Sequence, residues 1–311
     1  MRITKYQTKK QALNRGTGTK APRLQEKGDT TMKNTVTTIL QQKADGEKIT
    51  MLTAYDYSVA KIMDEAGINI LLVGDSLGNT ILGYPDTLSV TMDDMIRHSA
   101  AVARGAANAL IVTDLPFLSY HTSVYDAVSN AGRLVKEGRA QAVKLEGGRS
   151  FCPHIKAITE AQIPVMAHLG LTPQSVNALG GYKVQGKSEK DGKDLIDDAL
   201  AVEAAGAFAL VLECVPTELA ALVTEQLTIP TIGIGAGNGT DGQVLVYQDM
   251  FGIYGGKSPK FSKVFADAGA LMREGLQLYI DETKTGSFPD GEHSFSADPA
   301  VMDTLRKYAE K

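Results

Sequence analysis

Five short apolar runs in this chain end in residues that could do chemistry. They read LLVGDS with Asp75 and Ser76, IVTDLP with Asp114, AVKLEGG with Lys144 and Glu146, VMAHLG with His168, and LVLECVP with Glu213. Asp75, Asp114 and Glu146 come from three successive runs, so their carboxylates can meet at one place. Uncompensated carboxylates in a partly enclosed site repel one another, and all-oxygen ligation suits a hard divalent ion such as Mg2+. The competing reading gives each acid a helix cap or a salt-bridge partner. Lys144 has two uses, as a Schiff-base amine or as a cation that neutralises an anionic substrate. The second is favoured because a metal already supplies an electrophile. Glu213 emerges from the apolar stretch ALVLE, the kind of setting in which a carboxylate becomes a competent general base near neutral pH. His168 either shares that duty or hydrogen-bonds the substrate.

These positions need a scaffold that gathers strand ends. From residue 49 onward β-branched runs alternate with amphipathic stretches of helical period, the pattern of repeated βα units and a parallel sheet. The predicted strands are 49–54, 68–75, 109–115, 142–147, 164–169, 207–215, 230–234 and 244–251; the predicted helices are 57–66, 92–107, 124–137, 154–161, 189–205, 218–226 and 265–283. Gly67, Gly138 and Gly206 stand where helix C-termini want glycine. Eight repeats over about 230 residues predict an α/β fold, a (β/α)8 TIM barrel, rather than a doubly wound sheet of five or six strands. Chemistry in such a barrel sits at the C-terminal ends of the strands.

Strand alternation puts Lys144 and Glu146 on one face and Leu145 on the other. It also sends Glu213 inward and Cys214 outward toward the helices, making Cys214 a packing thiol; Cys152 is read as structural too. The Gly-rich run GIGAGNG (233–239) is a weak anion-binding signal, since it lacks the spacing of a dinucleotide fingerprint. GGYKVQG (180–186) reads either as a lid or as a plain loop.

Composition narrows the rest. The 311 residues carry a net charge of −4 with 43% apolar residues, which excludes a disordered or fibrous chain. The charge is unevenly placed: the residues before Met32 have a local net of +6, leaving −10 to the other 280. Residues 1–31 contain no apolar run for a secretory signal and read as a disordered basic extension, dispensable, with Met32 an alternative start. The extension has one aromatic, Tyr6, and no amphipathic period, and the acidic body opposes a nucleic-acid partner. No stretch approaches the roughly 18 apolar residues of a membrane span. Two cysteines without a signal peptide suggest a reducing cytoplasm. The expected organisation is therefore this extension followed by one catalytic barrel domain, 32–311, with a C-terminal extension.

The segments TAYDYSVAKI, LLVGDSLGNTILGY, VKLEGG, HLGLTPQSVNALGGYKVQG, LVLECVP and IPTIGIGAGNGTDGQVLV closely resemble the ketopantoate hydroxymethyltransferase family over about residues 33–295. The resemblance implies a (β/α)8 barrel and transfer of a hydroxymethyl group from 5,10-methylenetetrahydrofolate to 3-methyl-2-oxobutanoate. The product is 2-dehydropantoate, in the first step of pantothenate biosynthesis, through a Mg2+-stabilised enolate. Position by position it implies metal ligation by Asp75, Asp114 and Glu146 and 2-oxoacid contacts from Asp75, Ser76, Asp114 and Lys144. It further implies His168 near the substrate, Glu213 as catalytic base, and a homo-oligomer, often a decamer. The nearest rival is a phosphoenolpyruvate mutase or isocitrate lyase relative, which shares the metal and oxoacid chemistry without folate. A catalytically dead binding barrel is a rival of another class, opposed by the full set of acids, Lys144 and Glu213.

Overall fold

The computed structural model describes residues 33–310 apart from Tyr254, Gly256 and Lys257. The basic extension before Met32 lies outside the described residues. The described residues start with helix α1 (Val36–Ala44), opened by the Thr35 side chain, which accepts from Thr38 N. Strand β1 (Ile49–Thr53) follows, then α2 (Tyr57–Glu65), β2 (Ile70–Val73), the single turn α3 (Leu77–Thr80) and α4 (Met92–Gly105). The alternation continues through β3 (Leu110–Asp114), α5 (Val124–Lys136), β4 (Ala142–Glu146), α6 (Cys152–Glu160), β5 (Val165–Gly170), the single turn α7 (Val176–Leu179), α8 (Glu189–Ala204), β6 (Ala209–Glu213), α9 (Thr217–Gln226) and β7 (Thr231–Ile234). β8 (Gly242–Leu245), the short α10 (Tyr247–Met250), α11 (Ala268–Thr285) and α12 (Pro299–Ala309) complete it.

The eight strands pair in parallel and in sequence order, and β8 returns to β1, so the sheet is a closed barrel. The predicted TIM barrel is the observed fold. Alternation sorts the apolar residues into two layers. Ile49, Met51, Ile70, Leu72, Val112, Met166, Val211 and Ile232 fill the interior, while Leu71, Val73, Ile111, Val143, Leu145 and Leu212 pack outward against the helices. The helices start where polar side chains cap them: Asp56, Thr91, Ser123 and Ser188 accept from backbone N–H groups of α2, α4, α5 and α8.

Three features depart from the expectations. The eighth strand begins two residues early and ends at Leu245. The apolar run beyond it turns into α10, whose Tyr247 N donates to Thr53 Oγ1 at 3.1 Å and whose Tyr247 ring packs on Tyr55. Gly67 and Gly206 take the left-handed conformation expected after a helix, but at the third such end Arg139 takes it, at φ +60°. Gly138 serves close approach instead, since a Cβ there would stand 2.7 Å from Leu134 O. Finally, α1 and α12 were not foreseen. Helix α1 carries Ile39, fully buried, into the interior cluster with Ile49 and Ile70. The Lys43 ammonium holds it there, 2.9 Å from Asp241 Oδ2 and donating to Thr224 O at 3.2 Å.

Ile39 is the one buried residue of α1, with Val36 only partly buried against the same cluster. Ile39→Ala is expected to cost about 2–5 kcal/mol, the range for a buried large-to-small change, read as a lowered midpoint in thermal or urea unfolding. A midpoint equal to that of the parent would show that α1 contributes nothing to the barrel.

Candidate active site

Strand register brings the charged residues together. Asp114 pairs with Lys144 across β3 and β4, Glu146 with His168 across β4 and β5, and Gly170 with Glu213 across β5 and β6. Asp114, Lys144, Glu146, His168 and Glu213 therefore continue the inward-facing series of their strands past its apolar part. Asp75 and Ser76 reach the same place differently. They lie beyond β2, in the turn that leads into α3, so strand parity does not place them. All seven predicted site residues line one cavity of about 820 Å³ at the C-terminal end of the barrel.

Lys144 Nζ lies 2.9 Å from Asp114 Oδ1 and 3.4 Å from His168 Nδ1. The contact to Asp114 Oδ1 is an ion pair without hydrogen-bond alignment, and that oxygen has no other partner. Asp114 Oδ2 accepts from Asp75 N at 3.1 Å. The His168 ring spans two acids, with Nδ1 3.4 Å from Glu146 Oε1 and Nε2 3.3 Å from Glu213 Oε2. Ser76 Oγ shares a 2.8 Å hydrogen bond with Tyr55 OH. Asp75, Asp114, Lys144, Glu146 and His168 are all buried; Glu213 keeps 15% of its side chain exposed, on the open side of the group.

The electrostatics follow from three buried carboxylates sharing one ammonium. Burial raises the Asp75 carboxyl well above its usual range, and the Asp114 and Glu146 charges raise it further. Asp114 is raised by burial too, against the pull of Lys144. Burial alone would lower the Lys144 ammonium, but Asp114, Glu146 and Asp75 outweigh it and hold the lysine protonated. A lysine so held is a poor amine nucleophile, which favours the electrostatic use over a Schiff base. Burial and Lys144 push His168 down, while the Glu146 and Glu213 carboxylates on either side of its ring push harder the other way, to about 9.

Sequence reasoning missed the residues that tie the acids in place. Gln174, in the turn after β5, donates from Nε2 to Asp75 Oδ2 at 2.8 Å, and its backbone N donates to Glu146 Oε2 at 3.0 Å. Tyr120 donates to Gln174 Oε1 at 2.9 Å and accepts from Glu146 N at 3.1 Å. Neither residue ends a strand, so the strand-end criterion passes over both. Cys214 also differs from expectation. It takes a left-handed φ of +48° directly after β6, which turns it to the cavity wall rather than toward the helices. Burial and the Glu213 charge raise its thiol to about 11, so it is no nucleophile. The GIGAGNG glycines mostly serve packing: a Cβ at Gly233 would strike Thr240, and one at Gly237 would strike Thr217. In GGYKVQG, Tyr182, Lys183 and Val184 reach the cavity mouth.

An acidic cavity at the C-terminal mouth of a closed parallel barrel defines the chain as a (β/α)8-barrel enzyme. The fold is similar to that of phosphonopyruvate hydrolase, whose crystal structure is a complex with oxalate and Mg2+ (TM-score 0.55, 12% identity, 89% of this chain and 96% of that one). It is also similar to that of 2,3-dimethylmalate lyase, a phosphoenolpyruvate mutase/isocitrate lyase superfamily member (TM-score 0.56, 15% identity, 90% and 93%). At such identities the likeness is one of fold. The chain belongs to the ketopantoate hydroxymethyltransferase family, whose profile matches residues 33–291. It is 64% identical over 274 residues to the 3-methyl-2-oxobutanoate hydroxymethyltransferase of Clostridium novyi (strain NT) and 62% identical to that of Enterococcus faecalis (strain ATCC 700802 / V583). Each alignment covers 88% of this chain and the whole of the relative. It is accordingly a hydroxymethyltransferase, and the rival assignments by fold alone fall away.

His168 supplies a pH test in EDTA. Its folded value of about 9 exceeds the ordinary 6.5 or so of an unfolded histidine. Its stabilising contribution is therefore fully present below pH about 6.5 and is lost as the pH rises through about 9. The melting temperature should fall across that window, and His168→Gln should flatten the fall. An equally steep fall in the variant would remove His168 as its cause.

Proposed function

We propose that this cavity transfers the one-carbon unit of 5,10-methylenetetrahydrofolate to C3 of 3-methyl-2-oxobutanoate, with water completing the hydroxymethyl group, to give 2-dehydropantoate. This is the first step of pantothenate biosynthesis. The observation that carries the reading is the buried group of Asp75, Asp114 and Glu146 around the single ammonium of Lys144. Such an excess of negative charge suits a resident divalent cation.

The residues fit Mg2+. The donors are all oxygens, and Asp114 Oδ1 has only the Lys144 ammonium, 2.9 Å away, beside it. Among the described residues no three acidic, histidine or cysteine side chains are drawn into a ready-made metal cage. Mg2+ keeps several waters in its shell, so the three acids need not close directly around it to hold it. Asp75, Asp114 and Glu146 would hold the ion. When bound it supplies Lewis-acid charge that makes the C3–H next to the 2-oxo group more acidic.

Lys144, held protonated, neutralises the substrate carboxylate, and Ser76, fixed by Tyr55, donates to it. Asp75 and Asp114 border the same substrate position. Water releases the one-carbon unit from the folate at the formaldehyde level, leaving tetrahydrofolate. Glu213, on the open side of the group, takes the proton from C3, the resulting carbanion adds to that carbonyl carbon, and the new alkoxide takes up a proton to become the hydroxymethyl group. His168 Nε2 faces Glu213 and keeps its carboxylate aimed into the cavity. About 820 Å³ is far more room than a five-carbon oxoacid fills and leaves space for the folate.

The same reading takes residues 1–31 as a dispensable basic extension and 32–311 as one catalytic domain with a C-terminal extension, cytoplasmic and without a nucleic-acid or membrane partner. No helix among the described residues is long and apolar enough to cross a membrane. A homo-oligomer, a decamer by family resemblance, is supported by α11. Only Gly269 of that helix is buried, while Leu271, Met272, Leu276 and Tyr279 are exposed.

The reading predicts conversion of 3-methyl-2-oxobutanoate that requires both Mg2+ and methylenetetrahydrofolate and stops in EDTA. Folate-independent turnover would overturn the donor assignment. Glu213→Gln should slow deuterium exchange at C3 by about 10²–10⁴-fold, the usual contribution of a general base, while the oxoacid still binds. Exchange at the parent rate would remove Glu213 from the mechanism.

A further inference from the structure

Gln174 is only 3% exposed and does not line the cavity, yet it touches two of the three acids. It sits in the turn Pro173–Ser175 that follows β5. Every polar atom of its side chain is used. Nε2 donates to Asp75 Oδ2 at 2.8 Å and to Leu115 O at 2.9 Å, and Oε1 accepts from Tyr120 OH at 2.9 Å. Two acceptors at one end and a hydroxyl donor at the other allow a single orientation of the amide. The backbone N of Gln174 donates to Glu146 Oε2 at 3.0 Å, and Tyr120 OH, which accepts from Glu146 N at 3.1 Å, ties the same strand end.

One residue from the β5 turn thus links the acid beyond β2 to the acid at the end of β4. Each acid has one oxygen bound by Gln174, which leaves Asp75 Oδ1 free of it and Glu146 Oε1 beside His168 Nδ1 at 3.4 Å. Asp75 and Glu146 repel one another, so without this link they would swing apart toward water. We propose that Gln174, braced by Tyr120, is a positioning residue that sets the spacing of Asp75 and Glu146 and thereby the affinity of the site for its divalent cation. The proposal rests on the reading that these acids hold such an ion. Partners behind metal ligands are commonly worth about 10–100-fold in metal affinity.

The test is calorimetric titration of Mg2+ into the full-length protein without substrate, alongside thermal melts. Gln174→Ala is expected to weaken the Mg2+ Kd by about 10–100-fold while the protein still melts cooperatively. Its kcat should recover at saturating Mg2+, so that the loss lies in the Mg2+ concentration required. A folded Gln174→Ala protein that binds Mg2+ with the parent Kd overturns the proposal. Should that variant fail to fold, Tyr120→Phe carries the test: a several-fold weaker Kd supports the proposal and an unchanged Kd overturns it. Asp114→Asn separates the two layers. If it abolishes binding while Gln174→Ala leaves binding intact, the ion site stands and the positioning role falls. If the parent takes up no Mg2+, the reading of the site falls with it.

Discussion

Three carboxylates sharing one ammonium ion, all out of contact with bulk water, is the constraint around which the C-terminal end of this barrel is built. Left alone, Asp75, Asp114 and Glu146 would repel, and burial penalises each of their charges. The chain answers with local donors. Lys144 stands against Asp114, the backbone N–H of Asp75 against the other Asp114 oxygen, and Gln174 against both Asp75 and Glu146. These contacts neutralise part of the charge and leave the raised Asp75 carboxyl as the sign of what remains. A fold that met the whole excess internally would have no affinity left for a cation. Under the proposed function the incomplete compensation is what a bound cation would answer, and the strands beneath it keep the acids together.

The same charge excess sets the state of its neighbours. Lys144 stays protonated because it is outnumbered, which suits it to the proposed role of anion receptor rather than amine. His168 is drawn upward by the acids on either side of its ring. Glu213 stands across that ring from Glu146 and is the most exposed acid of the group. In the proposed mechanism the acid assigned the proton transfer is thus the one that keeps access to the cavity, while the other three are enclosed.

Much of this was legible in the sequence because strand alternation is a strict rule. Once the apolar runs are counted as eight, the strand-end rule picks out Asp114 and His168, and parity turns Lys144, Glu146 and Glu213 into the barrel. Parity is silent beyond strand ends. Asp75 and Ser76 follow a strand that stops at Val73, and Cys214, one residue past β6, rotates into the left-handed region and onto the cavity wall. Where the next residue points there depends on backbone torsions that no apolar pattern encodes. Helix α1 escaped for another reason. It buries essentially one residue, Ile39, so its amphipathic signal is weak even though that residue closes the interior.

Gln174 was the least legible because its significance lies entirely in what it meets. A glutamine after a proline in a loop carries no pattern of its own, and its partners Asp75, Leu115 and Tyr120 are 54 to 99 residues away in the chain. Strands can hold their end groups to a fixed pitch, since adjacent strands lie about 4.8 Å apart, but they cannot adjust the distance between an acid on β4 and one that lies beyond β2. A side chain of definite length from a third element can. The barrel therefore divides the work: the strands determine which groups face the cavity, and a loop residue bridging behind them determines how far apart two of those groups stand.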